Sequence, residues 1–195
     1  MGRIGEVKRK TAETEVIVRV DLDGSGEKKI DTGVGFFDHM LDQLAKHGLL
    51  NLEVQAKGDL KVDAHHTVED VGICLGSAIK QALGAKEGIT RFASTTVPMD
   101  EALVLTSIDI SGRGALGFDL PIEAEMIGDF PTELVGEFFQ AVASNAGITV
   151  HIRKLSGENA HHVVEAAFKS FARSLQEAVS MSGRVKGTPS TKGTL

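Results

Sequence analysis

A chain that repeats itself folds into a repeated unit, and this sequence repeats itself around its histidines. His65-His66-Thr67-Val68-Glu69 returns 96 residues later as His161-His162-Val163-Val164-Glu165. Four of the seven histidines form these pairs, and a fifth, His39, precedes the first. The likeness extends well beyond them. Val16-Ile17-Val18-Arg19-Val20-Asp21-Leu22-Asp23-Gly24-Ser25-Gly26 answers to Val104-Leu105-Thr106-Ser107-Ile108-Asp109-Ile110-Ser111-Gly112-Arg113-Gly114 at an offset of 88. Both alternate as half-buried strands and run into glycines that read as a hairpin turn. Phe37, Met40, Leu41 and Leu44 have helical spacing, as do Val135, Phe138, Phe139 and Val142 at an offset of 98.

Short strands follow at 49–56 and 147–154, and each histidine pair then opens a longer helix. Val68, Val71, Leu75, Ala78, Ile79 and Ala82 form the apolar stripe of one; Val164, Phe168, Phe171, Leu175, Ala178 and Val179 that of the other. Each half reads strand, strand, helix, strand, helix, which predicts a two-layer α+β unit. Two such units, 1–92 and 93–182, are expected to pack as a pseudo-symmetric pair, because the join between 88 and 98 lacks linker composition. Residues 183–195 form a tail with Arg184, Lys186 and Lys192 and no acidic side chain. Alone it reads as a disordered basic end.

Composition excludes several function classes. A charge of −6 and a pI near 5.6 give no general attraction to nucleic acid. No apolar run approaches the roughly 20 residues that span a bilayer. The segment Met1 to Glu6 lacks the apolar stretch of a signal peptide. The single cysteine, Cys74, lies among Val71, Gly72, Ile73 and Leu75, which reads as buried packing rather than reactivity. A reducing cytoplasm is expected. Gly33-Val34-Gly35 and Gly24-Ser25-Gly26 lack the spacing of nucleotide loops and read as turns.

Imidazole with carboxylate suits manganese, iron or zinc better than calcium or magnesium. On a helix, residues four apart lie about 40° around the axis and residues three apart about 60°. Glu69 can therefore share an ion with His65 or His66, and Glu165 with His161 or His162. Adjacent histidines diverge by about 100°, which assigns them to different ions. Completing either shell needs ligands from elsewhere. His39 precedes the first cluster, and its repeat partner at the offset of 98 is Glu137, so these two are carried as a pair. His47 pairs with Asn145 and His151 with Glu53, which are not matched ligands.

The sequence resembles the imidazoleglycerol-phosphate dehydratase family over essentially its whole length. The resemblance rests on Arg9-Lys10-Thr11-Ala12-Glu13-Thr14, Gly35-Phe36-Phe37-Asp38-His39-Met40-Leu41, Asp63-Ala64-His65-His66-Thr67-Val68-Glu69-Asp70, the segment from Asn159 through His161, His162 and Glu165 to Lys169, and Pro189-Ser190-Thr191-Lys192-Gly193. It implies a lyase of histidine biosynthesis that dehydrates imidazole glycerol phosphate to imidazole acetol phosphate with two manganese ions per active site. It implies a duplicated, ribosomal S5 domain 2-like fold, each half a four-stranded sheet backed by two helices. It also implies twenty-four subunits with active sites at their contacts, no nucleic acid and no membrane.

By that resemblance the metal ligands fall on His39, His65, His66, Glu69, Glu137, His161, His162 and Glu165, with Glu137 standing where several family members carry histidine. Glu69 and Glu165 join Glu13 and His47 as catalytic residues. Gln43, Arg91, Arg113, Ser190 and Lys192 match substrate or phosphate contacts, and the tail becomes a latch ordered by substrate or by a neighbouring subunit. The reaction needs an electron sink, because the proton removed is not acidic and hydroxide leaves poorly. The substrate's imidazole supplies that sink as a dimanganese-bound imidazolate. Two rival readings stay open: a dinuclear metallohydrolase, and a module in which the ions only join subunits.

Overall fold

A computed structural model describes residues 2–195. An antiparallel hairpin of β1 (Ile4–Lys10) and β2 (Thr14–Asp21) opens the chain, and β3 (Lys28–Asp31) leads into α1 (Gly35–Gly48). Then come β4 (Asn51–Gly58) and α2 (His65–Leu83). The second half repeats this with the hairpin β5 (Phe92–Met99) and β6 (Ala102–Asp109), then β7 (Ala115–Asp119). A small hairpin of β8 (Met126–Ile127) and β9 (Phe130–Pro131) is the only insertion before α3 (Leu134–Ala146), β10 (Thr149–Ser156) and α4 (Ala160–Val179).

The sheets have orders β1-β2-β4-β3 and β5-β6-β10-β7, the same topology twice. The expected duplication holds, and each half has one strand more than alternation alone suggested. β1 escapes that reading because Glu6, Lys8, Arg9 and Lys10 make it a charged edge strand; Pro98 marks β5 likewise. One expectation is corrected. The glycine-rich turns after β2 and β6 close no hairpin. β4 and β10 insert antiparallel beside β2 and β6, and β3 and β7 pair parallel on their far sides. The true hairpin tips lie at 11–13 and 100–101, and the second of these turns at Asp100, whose φ is +49°.

The four helices lie between the two sheets. α2 packs on β1 and β2, α4 on β5 and β6, while α2 faces α3 and α1 faces α4 across the halves. One core runs through both: the Phe37 ring meets Phe138 edge-on at 5.3 Å, and Phe138 stacks on Phe168 at 5.2 Å. Each such ring contributes about 1.5–3 kcal/mol by leaving water, so neither half would keep its stability alone. The α2–α3 approach depends on glycine. A Cβ on Gly76 would stand 2.6 Å from the Val142 carbonyl oxygen, and one on Gly72 2.8 Å from the Ala141 Cβ. Cys74 is fully buried, as expected.

Candidate metal centre

The seam between α1 and α4 carries two ladders of polar side chains at intervals of four. α1 supplies His39, Gln43 and His47; α4 supplies His161, Glu165 and Lys169. At the head of the seam the Nε2 atoms of His39 and His161 each lie 3.1 Å from Glu165 Oε2. These three ligand atoms all fall within 4.8 Å of one another, the only such group of three or more His, Cys, Asp or Glu among the described residues. Two imidazole nitrogens converging on one carboxylate oxygen form a borderline-soft donor set that fits a first-row divalent ion.

Glu165 is 6% exposed. Burial works against its charge, but the Lys169 ammonium at 2.5 Å and the two imidazoles outweigh it and hold the carboxyl below its ordinary value. Lys169, which the sequence reading quoted in a motif but gave no role, is thus the group that keeps Glu165 ionised; its spacing of four from Glu165 was the available signal. Further along, His47 Nε2 lies 3.1 Å from Gln43 Oε1. Burial, then the charges of Lys169 and Arg173, push His47 below its ordinary value against the pull of Glu165.

The adjacent histidines part as the helical angle requires. His161 joins Glu165, whereas His162 turns to the β5–β6 tip, where its Nδ1 lies 2.7 Å from Glu101 Oε2. That hydrogen bond, with backbone N–H groups of Asn159 and Glu158, holds Glu101 down at about 2 and raises His162. Glu101 was missed as a site residue, although it is the repeat partner of Glu13 at the offset of 88. On the other half, His66 Nδ1 lies 3.1 Å from Asp59 and 3.8 Å from Glu13, with Asp59 the main cause of its raised value. Each of these imidazoles turns Nδ1 to a carboxylate, which fixes its ring and raises its basicity, and the Nε2 of His162 lies 3.7 Å from Asp100 Oδ2.

Asn159 caps α4 by accepting from the His161 and His162 N–H groups, and Asp63 accepts from the His65 N–H at the start of α2. These bonds hold the backbone where each histidine pair begins.

His65, Glu69 and Glu137 do not converge as their counterparts do. Glu137 is exposed on α3, and Glu69 half-buried on α2. This set carries two carboxylates and one imidazole, where the other half sets one carboxylate between two imidazoles. His151 is exposed on β10, away from the cluster, in keeping with its unmatched place in the repeat.

The residues matched to phosphate gather at the opposite end of α4. Arg91 sits at φ +78°, its N–H bonded to the Ala178 carbonyl. Its guanidinium holds Asp109 at 2.8 Å and donates to the Pro189 carbonyl at 2.7 Å. Ser190 and Lys192 follow in the tail, and Arg113 lies exposed after β6. Residues 183–195 lie along their own chain, with the Gly88 N–H bonded to the Gly187 carbonyl. Thirteen residues of α4 separate Glu165 from Ala178, about 20 Å of helix.

A cleft of about 720 Å³ adjoins the cluster, lined by Val34, Phe36, Leu60, Ala64, Phe130 and His161 among others. It brings the heads of α1, α2 and α4 to one end of the molecule.

With this geometry in hand, comparison with known proteins is decisive. The sequence profile of the imidazoleglycerol-phosphate dehydratase family matches residues 32–175. The chain belongs to that family. A curated imidazoleglycerol-phosphate dehydratase of Acetivibrio thermocellus is 58% identical over 195 residues, covering all of both chains, and that of Desulforamulus reducens is 56% identical over the same span. Among solved structures, the imidazoleglycerol-phosphate dehydratase of Staphylococcus aureus superposes with a TM-score of 0.84 at 38% identity, covering 92% of this chain and 99% of that one. The enzyme of Pyrococcus furiosus gives 0.83 at 40%, covering 97% and 100%.

Proposed function

We propose that this chain is an imidazoleglycerol-phosphate dehydratase, a lyase of histidine biosynthesis that converts imidazole glycerol phosphate into imidazole acetol phosphate. Full-length identity of 54–58% to enzymes of that name supports the reading. The observation that carries it is the convergence of His39, His161 and Glu165 beside a cleft that His161 lines.

Two manganese ions per active site are the proposed cofactors, held by His39, His161 and Glu165 with Glu137, His65 and Glu69 as the counterpart set, and by His66 and His162 through their outward Nε2 atoms. When bound, the ions supply the Lewis-acid stabilisation that makes the substrate ring an electron sink. The chain's own residues do the rest. Lys169 keeps Glu165 charged, and Asp59 and Glu101 orient His66 and His162. Glu13, exposed at the tip of the first hairpin, is free to take the proton from the carbon next to the departing hydroxyl. His47, held neutral by its surroundings, and Gln43 receive the glycerol hydroxyls.

An imidazole bearing a three-carbon phosphate ester is about 10 Å long, given bonds near 1.5 Å. That is shorter than the roughly 20 Å of helix from Glu165 to Ala178, where the Arg91 N–H is bonded, which supports a phosphate contact from another copy. A large homo-oligomer, twenty-four subunits by family likeness, with active sites at subunit contacts answers that need. The copies of the repeat are proposed to span 1–92 and 93–182, with 183–195 as a phosphate-binding tail. No helix among the described residues is long and apolar enough to cross a membrane, and cytoplasmic location is proposed. The test is an assay of manganese-loaded protein with imidazole glycerol phosphate. Formation of the enolisable ketone is expected; no product from protein with full metal content would overturn the assignment.

A further inference from the structure

The duplicated frame contains its own control, and the two hairpin tips differ in what holds them. At the β5–β6 tip, Glu101 is consumed in orienting His162. At the β1–β2 tip, Asp59 orients His66, and among the described residues the Glu13 side chain accepts no hydrogen bond, its one ion-pair contact being His66 Nδ1 at 3.8 Å. Something else must then fix where Glu13 points. Its own N–H and that of Thr14 donate to Thr11 Oγ1, which lies 3.2 Å from Thr14 Oγ1. Thr14 Oγ1 donates in turn to Asp70 Oδ2, and Arg9 Nε donates to Asp70 Oδ1 at 2.7 Å.

Asp70 is 6% exposed and Thr14 4%, so the chain runs from a buried carboxylate on α2 to the backbone of the tip. Burying a carboxylate is costly unless it is paired and hydrogen-bonded, and here it has a guanidinium and a hydroxyl. The second half dispenses with all four groups. At the offset of 88, Arg9, Thr11 and Thr14 become Val97, Met99 and Ala102; at the offset of 96, Asp70 becomes Ala166. The strand registers confirm the correspondence, since Arg9 faces Val16 as Val97 faces Val104. The frame folds without the lock, and the lock stands only where a free glutamate has to be aimed.

We infer that Arg9, Thr11, Thr14 and Asp70 form a positioning relay that fixes the β1–β2 tip so that the Glu13 carboxylate meets the substrate. These are positioning residues, acting through Glu13. The inference rests on the proposed role of Glu13 as a proton-transfer group, and the experiment separates the two.

The variants E13Q, T14V, T14S, D70N and the double variant E13Q/T14V are purified as full-length manganese-loaded protein. Unchanged elution and metal content establish that assembly is intact. T14V keeps the volume but loses the donor. It is expected to lower kcat about tenfold to a hundredfold, as a misplaced catalytic group does, with KM within about twofold. T14S, which restores the hydroxyl, returns kcat to near the parent value, and D70N falls with T14V. In the E13Q background, T14V has no further effect, because a relay that acts through Glu13 has nothing left to aim. Full activity in E13Q sinks the role of Glu13. A large loss in E13Q with an unchanged T14V, or losses that multiply in the double variant, sinks the relay alone. Should T14V fail to assemble, D70N and the E13Q/D70N pair give the same comparison.

Discussion

Single residues show what each copy of the repeat was free to change. α1 ends on Leu49 at φ 52° and α3 on Gly147 at φ 66°, repeat partners at the offset of 98 with the same bonds to Ala45 and Ala143 carbonyls. A left-handed leucine costs about 1–2 kcal/mol that glycine avoids. Since Leu49 is exposed, L49G is expected to gain about 1 kcal/mol in denaturant unfolding after glycine's entropy is set against that relief. At the cluster, E165A is expected to lower the manganese retained per chain after gel filtration, read by elemental analysis. H151N, on the outer face of β10, is expected to leave metal content unchanged.

His47 gives a prediction about pH. Its folded value lies below the unfolded value of about 6.5, so between the two the unfolded chain binds more protons. Stability contributed by the neutral imidazole is present above about pH 6.5 and is lost as pH falls through the folded value. H47Q is expected to flatten that part of the urea midpoint against pH. A profile unchanged from the parent would show that His47 is not held neutral. Residues of this kind were legible when spacing or repetition marked them, as with His39, His161 and Glu165. Glu101, Asp59 and Lys169 gained no role from the sequence, because their parts depend on a hairpin tip and a helix face being folded against the histidines.

At the scale of elements, helices were easier to read than strands. The helices carry apolar stripes of their own, whereas β1 and β5 are edge strands with little alternation to betray them. The insertion of β4 and β10 between strands that follow one another in sequence is a long-range pairing, invisible to local pattern. Glycine has the opposite character, since its sequence position hides its purpose. Gly72 and Gly76 look like weak points of α2 until α3 is found against them. G76A is expected to destabilise the fold by about 1–3 kcal/mol, the usual cost of overpacking a core, although alanine favours helix. Thermal unfolding checks this; an unchanged or higher midpoint would mean that α2 and α3 do not approach as described.

The molecule as a whole holds two half-sets of candidate ligands that are not equal. One converges within the chain and the other does not, and Ala178, which accepts from the Arg91 N–H, lies about 20 Å of helix from Glu165. Mixing E165A with R113A subunits, each inactive alone, is expected to regain activity on reassembly, because a site drawing on two chains can then receive both intact residues. No recovery would place the entire site in one chain. The repeat made the twin sets of candidate ligands legible from sequence, whereas the convergence of one set alone within the chain was not.

The most direct measurement is anomalous diffraction at the manganese edge from crystals grown with that ion. The account predicts one peak within bonding distance of His39 Nε2, His161 Nε2 and Glu165 Oε2, and a second beside His65, Glu69 and Glu137. Both imidazoles still resting on Glu165, with no anomalous signal at either place, would contradict it.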